Sequence, residues 1–113
     1  MEPQLAQKHC EPCSGDTPAL TGNDLEPYLD ELGDRWEVED EHHLIGEFEF
    51  DDFMDALDFT NRIGRIAEEE GHHPEICLTW GRATVKIWTH AIDGLSENDF
   101  ILAAKVDEEA GTS

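Results

Sequence analysis

One stretch of this chain limits its fold more than any other. Between residues 53 and 70, Phe53, Ala56, Leu57, Phe59, Thr60, Ile63, Ile66 and Ala67 recur at helical spacing. Such a stripe predicts a helix that lays one face on a core. Asp51 or Asp52 is placed to cap its start, and Gly71 to close its end in the left-handed conformation. Strand-like segments lie on both sides of it. Trp36–Val38 and 43–50 come before, and roughly 75–80 and 83–90 come after. A first helix of about ten residues is expected to open at Thr21 to Asn23, with Leu25, Tyr28, Leu29 and Leu32 as its stripe and Gly33 as its stop. A last helix follows Ser96. There Ser96 and Asp99 make a capping box, and Leu95 and Phe100 stand at hydrophobic-staple spacing. The order is α-β-β-α-β-β-α, which implies an α+β domain with a four-stranded antiparallel sheet and three helices. That domain is assigned to residues 21–110. Residues 1–20, with Pro3, Pro12, Gly15 and Pro18, read as an irregular arm.

The second strand pair carries its own register signal. Trp80-Gly81-Arg82-Ala83 suits a two-residue loop with glycine at its first central position. That register sets Trp80 against Ala83, Leu78 against Val85 and Ile76 against Ile87, all on one apolar face. Glu75 would then face Trp88 on the other side. Continued outward, the count sets His73 opposite His90, with Cβ atoms ~5 Å apart.

The chemistry-bearing residues gather at that end of the chain. Glu68, His72, His73 and His90 are the candidates, with Trp88 leaning towards His90 from the same strand face. Clustered imidazoles suggest proton transfer or metal binding, because imidazole is the side chain that titrates near neutrality. Glu68 and His72 are four residues apart. If the last helical turn persists, the carboxylate lies beneath the imidazole and fixes its tautomer. Three imidazoles can make a catalytic zinc site, but the adjacent pair would have to turn to one point from consecutive backbone positions. A plain polar loop is the alternative for His72-His73-Pro74. His9, His42 and His43 read as solvated surface. Asp99 is already explained by its capping role. Trp36 and Trp80 could be core, whereas Trp88, on the less apolar face, is the better residue to stack on a flat ligand.

Charge excludes several partner classes. There are 28 Asp and Glu against 7 Lys and Arg, a formal net charge of -21. Such a field repels phosphate backbones and anionic membrane surfaces, so neither nucleic acid nor a membrane is expected as a partner. The acids run from Glu2 to Glu109, and repulsion of this kind destabilises a compact chain unless salt screens it. A high-salt cytoplasm is the expected habitat, and a chain that melts no more readily at low than at molar potassium chloride would refute it. No signal-peptide core and no membrane-length apolar run occur. Cys10, Cys13 and Cys77 are too few for a disulfide framework. Cys10-x-x-Cys13 beside His9 is half of a zinc site at most. A cytoplasmic enzyme or binding domain fits best.

Taken together, these residues resemble the pterin-4a-carbinolamine dehydratases. The pattern is Glu68-x3-His72-His73-Pro74-x5-Trp80-x9-His90-x8-Asp99, in the company of Gly33-x-x-Trp36, Phe48-x-Phe50, Phe53 and Gly94-Leu95-Ser96, across about residues 20–108. The resemblance implies dehydration of 4a-hydroxytetrahydrobiopterin to quinonoid dihydropterin and water, in tetrahydropterin recycling, with no metal and no cofactor. It implies His72 and His90 as the acid–base pair, His73 as a pterin-binding residue, Glu68 as the group that orients His72, and Trp36 as a residue that helps shape the pocket. It implies a homodimer or homotetramer. It also carries a second reading, a binding or assembly module of the dimerisation-cofactor kind or one tied to molybdopterin metabolism. The acidity of the chain is no part of the family pattern.

Overall fold

A computed structural model describes residues 5–10, 18–32 and 34–110. Gly33, expected to stop the first helix, and Cys13 of the possible zinc half-site lie outside the described residues.

The order of elements is α-β-β-α-β-β-α: α1 (Glu26–Asp30), β1 (Trp36–Glu39), β2 (His43–Glu49), α2 (Phe53–Glu70), β3 (Glu75–Thr79), β4 (Arg82–Ile87) and α3 (Glu97–Ala110). The strands form one antiparallel sheet in the order β1-β2-β4-β3. The first helix is shorter than expected. Gly22–Asp24 forms a 3-10 turn, and α1 begins only at Glu26, with Pro27 in its first turn. Leu25 and Leu32 are nonetheless buried, so the apolar stripe reaches the core from the turns that flank α1.

The long helix forms as its sequence demands. The Asp52 carboxylate accepts from the Asp55 N–H at 2.8 Å, and Gly71 takes φ 66°. The Gly71 N–H reaches the Glu68 carbonyl at 3.3 Å and the His72 N–H reaches that of Ala67 at 3.1 Å. This paired closure is the Schellman arrangement, which needs a residue at ease with positive φ. Ala56, Phe59, Ile63 and Ala67 make the buried face of α2. Phe59 meets Phe48 and Phe50 of the sheet segment with ring centres 4.9 and 5.1 Å apart. Truncating such a ring to alanine costs about 3–5 kcal/mol.

The β3–β4 hairpin differs from the expected register. Thr79 pairs with Arg82, Leu78 with Ala83, Ile76 with Val85 and Glu75 with Lys86. Trp80 and Gly81 are therefore the two loop residues, and Gly81 takes φ 72° at the second central position, not the first. Ile76, Leu78, Ala83 and Val85 still share a face, because this slip keeps the parity of the pairing. Trp80, in the loop, is 74% exposed and not core. β4 ends at Ile87, so His73 and His90 are not opposed in a ladder. His90 opens a 3-10 turn, His90–Ile92, closed by the Thr89 N–H on the Gly94 carbonyl at 2.8 Å.

Trp36 lies in the core, on the strand at the far edge of the sheet from β3. Its ring covers Gly46, its cross-strand partner, where an added Cβ would come within 2.8 Å of the indole. Its Nε1–H donates to the buried Asp107 at 2.8 Å. The N-terminal residues also join the body. Leu5 is buried in the core, the Cys10 N–H donates to Glu70 at 2.7 Å, and Lys8 pairs with Glu97 at 2.6 Å. Among the described residues, no helix is long and apolar enough to cross a membrane.

Candidate active site

The end of α2, the run into β3, the residues after β4 and the first turn of α3 surround an open cleft of about 990 Å³. Glu68, His72, His73, Trp88 and His90 all line it. Trp36 does not: it is 4% exposed on the distant edge strand, so the expectation that it shapes the pocket is not met.

The pairing of acids and imidazoles differs from the expected one. His72 Nε2 lies 2.5 Å from Asp99 Oδ1, and His73 Nε2 lies 2.7 Å from Glu68 Oε1. Glu68 therefore faces His73, not His72. The cause is Gly71. Its left-handed turn ends the helix before His72, so the spacing of four that would stack Glu68 under His72 is lost. His73 comes back over the helix end, and His72 turns to α3.

Asp99 is the residue that sequence reasoning undervalued. Its side chain accepts from the Ser96 N–H at 2.7 Å, as the capping box predicts, and from the Thr89 hydroxyl at 2.9 Å, while its other oxygen meets His72. Thr89 and Ser96 hydroxyls are 2.8 Å apart. Asp99 is fully buried, so these contacts are what make its burial tolerable. The signal for it was present in the spaced motif, but the capping role offered a complete local explanation.

His90 is held differently. Its ring stacks on Trp88, with centres 4.5 Å apart and planes at 12°. Among the described residues no hydrogen bond to its ring nitrogens is formed, which leaves them to the cleft. One face of Trp88 is thus covered by an imidazole, where a flat ligand was expected. Behind Trp88 stand His42 and His43, which had been assigned to plain surface.

Glu70 and Cys10 also reach the cleft wall. Burial pushes the Glu70 carboxyl up, but the Cys10 N–H, His9 at 2.9 Å and Lys105 at 3.6 Å together hold it below its ordinary value. No three His, Cys, Asp or Glu side chains among the described residues are grouped to hold a metal ion. His72 and His73, each turned to its own carboxylate, do not converge on one point.

An α+β domain with carboxylate-bound imidazoles around one cleft defines a class of proteins suited to proton transfer on a small ligand. The comparisons give the class a family. The sequence matches Pterin 4 alpha carbinolamine dehydratase over residues 18–109. The chain belongs to that family. A Rubrobacter xylanophilus protein with the provisional name pterin-4-alpha-carbinolamine dehydratase is 55% identical over 104 residues, 92% of this chain and 96% of its own length. An Alkaliphilus metalliredigens protein of the same provisional name is 50% identical over 105 residues, covering 93% and 95%. Among solved structures, a transcriptional coactivator/pterin dehydratase from Brucella melitensis superposes with a TM-score of 0.77 at 32% identity, over 83% of this chain and 100% of that one. A pterin dehydratase-like RuBisCO assembly factor of the alpha-carboxysome shares the fold at TM-score 0.60 and 24% identity, over 69% and 92%.

Proposed function

We propose that the protein dehydrates 4a-hydroxytetrahydrobiopterin to quinonoid dihydropterin and water by histidine acid–base catalysis, in tetrahydropterin recycling. The observation that carries this reading is that three imidazoles at one cleft have three different surroundings. The reaction breaks the C4a–O bond and removes a proton from a ring nitrogen. Hydroxide leaves poorly, so one group must protonate the departing oxygen while another accepts the nitrogen's proton. Positioned imidazoles supply such assistance, typically worth about 10²–10⁴-fold.

His72 acts as the base. With Nε2–H donated to Asp99, its lone pair sits on Nδ1, and the buried carboxylate steadies the charge the ring takes up. His90 acts as the acid. It lines the cleft, no hydrogen bond to its ring nitrogens is formed among the described residues, and an imidazolium over an indole face gains a cation–π attraction. His73, exposed and paired with the exposed Glu68, binds and positions the pterin. Glu68 orients His73. Trp88 supports His90 and does not offer its stacked face to the substrate. The working form is a homodimer or homotetramer located in the cytoplasm, which sedimentation at molar salt and cell fractionation would each test.

The test is direct. The protein is added to the carbinolamine in molar potassium chloride, and the absorbance of the quinonoid product is followed. Acceleration over the spontaneous rate, unchanged by exhaustive chelation, is expected; no acceleration overturns the reading. The Brucella relative is described as coactivator and dehydratase together. A silent enzyme assay would therefore favour an assembly module, for which Trp80 and Met54, 74% and 66% exposed, are available.

A further inference from the structure

The turn between β1 and β2 carries two histidines that the proposed chemistry does not use. His42 Nε2 lies 2.7 Å from Asp93 Oδ1, and His43 Nε2 lies 3.0 Å from Glu39 Oε1. The two Nδ1 atoms face each other at 3.1 Å. His42 also approaches Trp88, with ring centres 5.5 Å apart and planes at 40°, and His43 approaches it at 6.1 Å. These side chains are partly buried, with 33% of His42 and 14% of His43 exposed. Neither lines the cleft, and Trp88 is the cleft residue whose ring they approach.

Two of the His42 contacts lead to His90. Through its ring it packs against Trp88, on which His90 is stacked. Through Nε2 it holds Asp93, the residue that closes the 3-10 turn carrying His90. Asp93 has φ 48°, and its N–H donates to the His90 carbonyl at 3.2 Å. Aspartate enters this left-handed region more readily than most residues, and the backbone bonds between Thr89 and Gly94 close the turn around it. The Asp93 side chain is itself 89% exposed, so its bond to His42 competes with water and adds only a weak tie to the turn.

We infer that His42 is a positioning residue for His90: it buttresses the Trp88 shelf on which His90 stacks, and its bond to Asp93 adds a weaker tie to the turn. His43 stands beside His42, with the two rings edge to face. Among the described residues the His90 ring has no hydrogen bond to set its plane, whereas His72 has Asp99, so this scaffold does for His90 what a carboxylate does for His72. The inference rests on His90 serving as the acid, and its test is chosen to separate the two.

The experiment compares His42→Ala, His42→Phe and His42→Gln with wild type, using the full chain in molar potassium chloride. Two readouts are taken: the His90 ring-proton resonances, shifted upfield by the stacked indole, and kcat and KM on the carbinolamine. In His42→Ala the His90 resonances move towards those of an unstacked histidine. kcat falls about tenfold while KM stays nearly constant, since a small misplacement of an acid lowers the rate without removing ligand contacts. His42→Phe restores the ring contact and His42→Gln the Asp93 bond, so each recovers part of the loss. Unmoved His90 resonances and an unchanged kcat in His42→Ala overturn the inference. If wild type is inactive but the resonances still move, the positioning stands and the proposed reaction fails. A variant that fails to fold shows itself in lost dispersion of the whole spectrum, and then His42→Phe and His42→Gln decide.

Discussion

His72 and His73 are neighbours in sequence with opposite surroundings. His72 is 13% exposed and bound to an acid that solvent does not reach, whereas His73 is 61% exposed and bound to an acid that is 79% exposed. The two pairs have nearly equal lengths, 2.5 and 2.7 Å. Burial, not distance, separates them. A pair in solvent competes with water, and losing it costs about 0–1 kcal/mol. A buried acid that loses its partner stays out of water and uncompensated, so the pair fixes geometry firmly. One residue of sequence thus separates an imidazole locked for chemistry from one free to follow a ligand.

Five substitutions test this contrast. His72→Ala, and Asp99→Asn with the fold retained, should each lower kcat by about 10²–10⁴-fold, read in the quinonoid assay. A loss under threefold from both would show that the buried pair has no privileged role. His73→Ala should act mainly on KM, raising it roughly tenfold, the weight of about one hydrogen bond, with kcat little changed; steady-state kinetics separate the two constants. Glu70→Gln probes an intermediate case, in which the acid is 6% exposed and its partner His9 is 80% exposed. Because the folded Glu70 carboxyl is held below its ordinary value, its contribution to stability is present above the unfolded value and lost as pH falls through the folded one. The variant's melting temperature should therefore fall less steeply with acidification than that of wild type, measured by circular dichroism. Glu68→Gln, at the exposed pair, should change stability by less than about 1 kcal/mol in denaturant melts.

Much of the fold was legible because its signals are local. Asp52 and Gly71 bound α2 as expected, and the apolar faces of β3 and β4 follow from alternation alone. The hairpin register was not legible, since Gly81 can serve either central loop position and a parity-preserving slip leaves every side chain on its face. The membership of the site was largely readable from the motif, but its pairing was not. Placing Glu68 under His72 assumed a helix that continues past Gly71, and the partner His72 takes is 27 residues away on another element. His42 gave no signal at all. It is one histidine in a turn between acids, and only the folded turn brings it to Trp88 and Asp93. The alignment with the Rubrobacter protein likewise spans 104 of 113 residues, so it must begin at or before Cys10 and takes in part of what reads from sequence as an irregular arm.

The carboxylate of Asp99 joins two tasks in one group. One oxygen ties down the first turn of α3, and the other meets the imidazole of the site. The cleft is therefore finished only when that turn has wound, and it is undone when the turn frays. Helix ends open far more readily than whole domains. Catalytic competence would then report on the integrity of a single helical turn, failing on warming before the rest of the molecule melts. Selection for activity would guard the start of α3 as strictly as any residue that meets the substrate.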